Sequence, residues 1–108
     1  MRVLVLEDDP QVRRLLRRVL TFDQHVVVMV DTAAAAIASA GVFDLAVLDI
    51  NLPDGNGVDV AEVLLNRAAV PRVVFFTAST DQELLARAGS LGSVIRKAVG
   101  LRALLAAM

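Results

Sequence analysis

The sequence contains no cysteine, tryptophan or tyrosine, and it has one histidine and one lysine. Without cysteine it has no disulfide, no thiolate metal ligand and no thiol nucleophile. Four phenylalanines are the only aromatic residues, and the formal net charge is -1. A nucleic-acid-binding module would normally carry a basic balance and stacking aromatic residues. We therefore expect no direct nucleic acid binding.

Long hydrophobic runs are also missing. Runs such as Val26–Val30 fall far short of the ~18 to 20 residues that a membrane span requires. After Met1 and Arg2, only four apolar residues precede Glu7, too few for the apolar region of a secretory signal. We expect a cytoplasmic protein with no membrane partner.

The length and the composition indicate one domain. The chain has 108 residues, of which 56% are hydrophobic and 21% charged, and this apolar content is enough to offset the entropy cost of folding. We therefore treat residues 1–108 as a single domain. Its net charge hides an acidic region, because the stretch 41–66 contains five acidic residues and no basic one.

Five short apolar runs predict β-strands, because almost all of their residues are β-branched, aliphatic or aromatic. These runs are Arg2–Leu6, Val26–Val30, Leu45–Leu48, Val73–Phe76 and the weaker Val94–Ile95. The stretch Asn51–Gly57 is dense in turn residues and is predicted to be a loop.

Helical spacing of apolar residues predicts a helix after each strand. Asp9 and Pro10 are typical of a helix start, and the first core stripe comprises Val12, Leu15, Leu16, Val19 and Leu20. The next three helices are Ala33–Ala40 before Gly41, Val58–Asn66, and Gln82–Ala88 between a Thr80–Glu83 capping box and Gly89. A last stripe comprises Leu101, Leu104, Leu105 and Met108.

Strands that are apolar throughout and alternate with amphipathic helices predict a parallel sheet covered on both faces. The expected fold is therefore α/β, a doubly wound five-stranded parallel sheet of the (βα)5 flavodoxin-like type.

Four of the five predicted strands end in polar or charged residues. These are Glu7, Asp8 and Asp9 after the first strand, Asp49 after the third, Thr77 after the fourth and Lys97 after the fifth. Ligands bind such sheets at the carboxyl ends of the strands, so we expect these side chains to converge, with Asp9 assigned to helix capping. Carboxylates without cysteine favour magnesium over zinc. A hydroxyl and the only lysine suit a phosphoryl group, and a carboxylate can accept one.

Four motifs together resemble a known family. They are EDD at 7–9, LDINLPDGNG at 48–57, TA at 77–78, and Lys97, each at a predicted strand end. In this order they are similar to the receiver domain of bacterial two-component response regulators, the CheY-like fold. The resemblance runs from Arg2 to the end of the chain.

The resemblance implies a role for each matching residue. Asp49 would be the phosphoacceptor. Magnesium, for which manganese can substitute, would be held by Glu7, Asp8, Asp49 and the backbone carbonyl of Asn51. Thr77 would bind a phosphoryl oxygen as the switch hydroxyl, and Lys97 would pair with the phosphate. Pro53 and Gly57 match the residues that shape the loop after the acceptor.

Two positions depart from the family pattern. Ala98 follows Lys97 where the family usually has a proline after a cis peptide bond, and a cis bond before a residue other than proline is costly. We therefore predict a trans bond and an altered loop. Val94 stands where the family commonly has an aromatic residue that moves with the switch hydroxyl. The usual aromatic readout is thus absent.

The resemblance also implies partners. A histidine kinase or a histidine phosphotransfer protein would donate the phosphoryl group, and a downstream target protein or an output domain outside this sequence would respond. The helix with Arg13, Arg14, Arg17 and Arg18 is either a solvated face or a docking face for the donor. A homodimer through the last elements is compatible with the family, although the final leucines would equally serve as core. His25 is assigned a structural role.

Two other functions remain open. A phosphatase of the haloacid dehalogenase type also uses an aspartate after a strand, but it would need an acid where Asn51 stands. A pseudo-receiver would keep the fold and bind partners without being phosphorylated. The expected activity is self-catalysed phosphoryl transfer and slow hydrolysis at Asp49, the property of a switch rather than of an enzyme.

Overall fold

The structure is a computed structural model that describes residues 1–108. Seven strands follow one another along the chain: β1 Arg2–Leu6, β2 Val26–Val30, β3 Leu45–Leu48, β4 Asn51–Leu52, β5 Gly55–Asn56, β6 Val73–Thr77 and β7 Ser93–Arg96. The helices are α1 Pro10–Phe22, α2 Ala33–Ala38, α3 Gly57–Asn66, α4 Gln82–Leu91 and α5 Leu101–Ala107, and a 3₁₀ turn spans Lys97–Val99. No helix combines the length and the apolar content that a membrane span needs.

Five of the strands form one parallel sheet in the order β2-β1-β3-β6-β7. The chain therefore moves outward from β1 to β2, crosses back to β3 and continues in the other direction. This confirms the predicted doubly wound sheet. It also places the reversal of strand order between β1 and β3, where sheets of this kind bind ligands.

The sheet is buried on both faces. Alternate residues of β1 point to opposite sides: Val3 and Val5 pack in one apolar cluster with α1 and α5, and Leu4 and Leu6 in the other with α2, α3 and α4. The interior positions of the strands are consequently apolar, which is why no polar-apolar alternation marks them in the sequence. In α5, Leu104 is fully buried in the first of these clusters, so it belongs to the core.

The predicted core stripe of α1 is wrong at one position. Leu16 and Leu20 are buried, but Leu15 is 45% exposed. Adjacent residues of a helix point in different directions, and here Leu16 is the one of the pair that faces the sheet. Leu15 therefore lies on the flank of the helix rather than in the core.

Several predicted helix ends also differ. α2 ends at Ala38 rather than Ala40, while α4 passes through Gly89 and ends at Leu91, with Gly92 as its C-cap. The cap of α4 is Asp81, whose carboxylate accepts from the Leu84 amide, not Thr80. Thr80 and Asp81 stand side by side before α4, and sequence spacing does not choose between adjacent caps.

The predicted loop 51–57 contains a small antiparallel hairpin. In it, β4 pairs with β5, matching Asn51 with Asn56 and Leu52 with Gly55. Asn56 then caps α3 by accepting from the Asp59 amide at 2.9 Å, so the helix begins at Gly57, one residue earlier than predicted. The hairpin leads directly from the end of β3 into α3.

The two glycines of the α4 region differ in what surrounds them. A Cβ added to Gly92 would lie 2.2 Å from the Val73 carbonyl oxygen, whereas one added to Gly89 meets no atom within 4 Å. We expect Gly92→Ala to lower the free energy of unfolding by about 1–3 kcal/mol, because backbone of β6 must move. Gly89→Ala, inside a helix, should raise it by roughly 0.5–1 kcal/mol. Urea unfolding of both variants checks this pair, and equal effects would contradict the packing described.

Candidate functional site

The carboxyl edge of the sheet collects the predicted site residues. Glu7 follows β1, Asp49 follows β3, Thr77 ends β6 and Lys97 follows β7. Parallel strands all end at the same edge, so residues up to 90 positions apart in sequence become neighbours. The arrangement depends on the strand order, which places β1 and β3 side by side at its centre.

Lys97 lies between two buried carboxylates. Its Nζ is 2.8 Å from Glu7 Oε1 and 2.9 Å from Asp49 Oδ2. Glu7 is 1% exposed and Asp49 5% exposed, so neither charge is solvated by bulk water. A buried carboxylate is tolerated when a cation and hydrogen bonds compensate it, and here a single ammonium compensates two.

The Asp49 side chain has a fixed orientation. Its Oδ1 accepts a hydrogen bond from the Ile50 amide at 2.7 Å, while Oδ2 accepts from Lys97. Its own amide donates to the Leu6 carbonyl at 2.9 Å, extending the pairing of β3 with β1 past the last strand residue. Both carboxylate oxygens are therefore held before any ligand binds.

Asp8 completes an acidic cluster with these two residues. One carboxylate oxygen from each of Glu7, Asp8 and Asp49 lies within 4.8 Å of the others. Asp8 is exposed, in contrast to Glu7 and Asp49. Three carboxylates without sulfur or nitrogen donors form a set of hard oxygen ligands, which fits Mg²⁺ and does not fit a zinc site. The exposed carboxylate opens this set to solvent.

The backbone after Asp49 depends on Gly57. A Cβ at this position would lie 1.8 Å from the Asp49 carbonyl oxygen, so only glycine permits the approach. The Gly57 amide also donates to the Ile50 carbonyl at 2.9 Å. The start of α3 is thus packed directly against the backbone of Asp49, as the resemblance at Gly57 suggested.

Asp54 fixes the tip of the hairpin, and its only signal in the sequence is an acidic residue in a predicted turn. Its two carboxylate oxygens accept from the Ala33 and Ala34 amides at 2.8 and 3.0 Å, at the start of α2. These hydrogen bonds lower the pKa of Asp54. Asn51, at the other end of the hairpin, is exposed and next but one to Asp49.

Thr77 lies at the same edge, but its hydroxyl does not reach the carboxylates. It is fully buried, and its Oγ1 accepts from the Ser79 amide at 3.0 Å. Ser79 Oγ in turn accepts from the Asp81 amide at 3.2 Å, and Asp81 caps α4. A continuous series of short-range hydrogen bonds therefore connects Thr77 with the start of α4.

The two departures from the family pattern lie beside Lys97. All peptide bonds are trans, including the one before Ala98, as predicted. The residues after β7 form the 3₁₀ turn Lys97–Val99, and Gly100 follows with a φ of 98°. Val94 is partly buried against the apolar cluster of α2, α3 and α4, and no aromatic side chain takes its place.

Arg87 was not singled out from the sequence, yet it joins two helices. Its Nη2 is 2.8 Å from Asp59 Oδ1 and 2.8 Å from Glu62 Oε1, connecting α4 with α3. The guanidinium lowers the pKa of Asp59, and the two carboxylates raise that of Arg87. Arg87, on α4, thereby neutralises part of the negative charge of the acidic stretch 41–66.

His25, in contrast, lies away from the carboxyl edge of the sheet, with its Nδ1 3.1 Å from the Met1 amino group.

Burial and the hydrogen bond from Lys97 shift the pKa of Glu7 in opposite directions. Burial raises the pKa of Glu7 to about 7, and the nearby Asp49 charge adds to the rise, while the hydrogen bond from Lys97 opposes it. Burial lowers the pKa of Lys97, but hydrogen bonds to Glu7 and Asp49 outweigh it, so the net shift is upward. The ammonium stays charged, and Glu7 is the group that titrates near neutral pH.

Comparison with known proteins finds a matching family model and several related proteins. The family model "Response regulator receiver domain" matches residues 3–108. The transcriptional activator DevR/DosR of Mycobacterium tuberculosis is 34% identical over 107 residues, which cover 93% of this chain and 49% of that protein. KdpE of the same organism is 38% identical over 81 residues, covering 73% of this chain and 35% of that protein. The chain thus spans half or less of these relatives.

Solved structures share the architecture. The non-phosphorylated HemR receiver domain from Leptospira biflexa superposes with a TM-score of 0.82 at 33% identity, covering 96% of this chain and 87% of that one. Its similarity extends over almost the full chain.

The raised pKa of Glu7 predicts a pH dependence of stability. The unfolded chain loses the Glu7 proton near the ordinary pKa of 4.5, whereas the folded chain keeps it up to about 7. Folding therefore becomes less favourable as pH rises through this window, by on the order of 2–3 kcal/mol. Urea unfolding between pH 4.5 and 7 without divalent cations should show the decline in wild type. Glu7→Gln, which cannot titrate, should lack it, and parallel profiles for the two proteins would contradict the assignment.

Proposed function

The chain belongs to the response regulator receiver domain family, and we propose that it is a phosphoacceptor domain of two-component phosphorelay signalling, with Asp49 as the acceptor. Residues 1–108 are taken as one receiver domain. The observation that carries the proposal is the position of Lys97, whose ammonium contacts both Asp49 and Glu7 at the carboxyl edge of the sheet.

Asp49 would attack the phosphorus of a phosphohistidine on a histidine kinase or a histidine phosphotransfer protein. A bond forms between an Asp49 carboxylate oxygen and phosphorus, and the phosphorus–nitrogen bond of the donor breaks. The imidazole leaves with the electron pair and takes up a proton from solvent. The two hydrogen bonds that orient the carboxylate favour this attack because no rotation of the side chain is needed.

Lys97 would remain close to the negative charge during phosphoryl transfer from the donor to Asp49. In the free protein its ammonium neutralises the Asp49 carboxylate at 2.9 Å. Once an Asp49 carboxylate oxygen is esterified, the negative charge lies on the phosphoryl oxygens. The flexible lysine side chain lets the ammonium move toward these oxygens. A charged donor aimed at developing charge lowers the barrier.

Glu7, Asp8, Asp49 and the backbone carbonyl of Asn51 would hold Mg²⁺, or Mn²⁺ in its place. A bound divalent cation supplies positive charge for the phosphoryl oxygens and the neighbouring carboxylates. Support comes from the three carboxylate oxygens within 4.8 Å. Glu7 must release its contact with Lys97 to contribute, and the exposed Asp8 side chain is already accessible.

Thr77 would carry the signal outward. To bind a phosphoryl oxygen, its hydroxyl has to leave the hydrogen bond from the Ser79 amide. That loss weakens the turn through Ser79 and Asp81, which sets the start of α4. Phosphorylation would therefore alter the α4 surface without an aromatic residue at Val94. A downstream protein, or an output domain in a longer chain, would recognise the altered surface.

Acetyl phosphate tests the acceptor directly. We expect a gain in intact mass of one phosphoryl group in wild type, only with Mg²⁺, and none in Asp49→Asn. Asp23→Asn is the matched control, because it makes the same change at the end of α1, on the opposite edge of the sheet. It should be modified like wild type.

Three other outcomes would contradict the proposal. An adduct that persists in Asp49→Asn would place the acceptor elsewhere. No adduct at all, together with unchanged partner binding by Asp49→Asn, would favour a pseudo-receiver. Continuous release of phosphate from simple esters, lost in Asp49→Asn, would favour a phosphatase.

A further inference from the structure

A basic depression lies between α1 and the edge strand β2, apart from the acidic cluster. Its volume is about 240 Å³, and its lining residues are Pro10, Arg13, Arg14, Arg17 and Met29. The four α1 residues follow the spacing of one helical stripe, so their side chains share a face. None of the five residues is a partner of Asp49 or Lys97.

The three arginines have almost no compensating charge. Helix α1 contains no acidic residue, and the nearest one to any of these guanidinium groups is Asp31, whose Oδ2 is 3.8 Å from Arg13 Nη1, too far for a hydrogen bond. Arg87, by comparison, contacts two carboxylates at 2.8 Å, and Arg67 donates to two carbonyl groups. The mutual repulsion of the three arginines is thus offset only by the long ion pair of Arg13 with Asp31.

Arg13 supplies a second, independent observation. Its Nε is a buried side-chain nitrogen without a hydrogen-bond partner. Buried donors are normally satisfied, and an unsatisfied one calls for a missing partner. The Arg13 side chain as a whole is 33% exposed and lines the depression, so an acceptor bound there can reach its guanidinium.

We propose that this depression binds a small anion that carries two or more linked phosphate groups. Three guanidinium groups match the charge of such an anion, and each can donate two parallel hydrogen bonds to phosphate oxygens. A volume of about 240 Å³ equals that of roughly eight water molecules, enough for linked phosphates. The same chemistry is offered by a free phosphorylated metabolite and by an anionic lipid headgroup.

Calorimetric titration with inorganic pyrophosphate tests the proposal, using the full chain at constant ionic strength without divalent cations. Arg13→Gln combined with Arg17→Gln should weaken binding at least about tenfold, because two charge-assisted contacts are lost. Arg18→Gln is the matched control. It removes the same charge from the same helix but lies outside the depression, and it should change the affinity by less than about threefold.

Vesicles with anionic phospholipid distinguish the two sources. Vesicle binding that pyrophosphate displaces, and that the double variant loses, would identify a lipid headgroup. Pyrophosphate binding without vesicle binding would identify a free metabolite. The proposal would be overturned if pyrophosphate did not saturate, if Arg18→Gln weakened binding as much as the double variant, or if an acidic peptide bound where pyrophosphate did not.

Discussion

The contact of one ammonium with two buried carboxylates is the interaction on which this structure depends. Glu7 and Asp49 sit at the ends of adjacent central strands, where the apolar cores on both faces leave little room for water. Without Lys97 two neighbouring charges would be buried uncompensated, which is strongly destabilising. The lysine arrives from β7, at the far edge of the sheet, so the cluster forms only when the whole strand order is correct.

The segments around Asp49 also hold this residue in place. Gly57 lets α3 start against the Asp49 carbonyl, the hairpin β4–β5 closes the loop between them, and Asp54 attaches that hairpin to α2. The acceptor is therefore rigid, while the elements that would respond to it, Thr77 and the turn before α4, are held only by short-range hydrogen bonds. A rigid site beside a weakly held turn is the arrangement that a switch requires.

Much of this could be predicted from the sequence, because the strand interiors are apolar and four of the five predicted strands end in polar or charged residues. Parallel strands alone place Glu7, Asp8, Asp49 and Lys97 at one edge of the sheet, and the strand order then makes them neighbours. What escaped prediction depends on contacts between distant segments: Asp54 with the α2 amides, and Arg87 with Asp59 and Glu62. Leu15 and the cap of α4 were misassigned because adjacent residues of similar chemistry competed for one position.

The central claim is that Asp49, Lys97 and the acidic cluster together receive a phosphoryl group. Fluorine-19 NMR with beryllofluoride, which mimics an aspartyl-bound phosphoryl group, tests that claim most directly. We expect bound fluorine signals that require Mg²⁺, disappear in Asp49→Asn and weaken in Lys97→Met. Bound signals that persist in Asp49→Asn, or none in a wild-type protein that is folded and supplied with Mg²⁺, would contradict it.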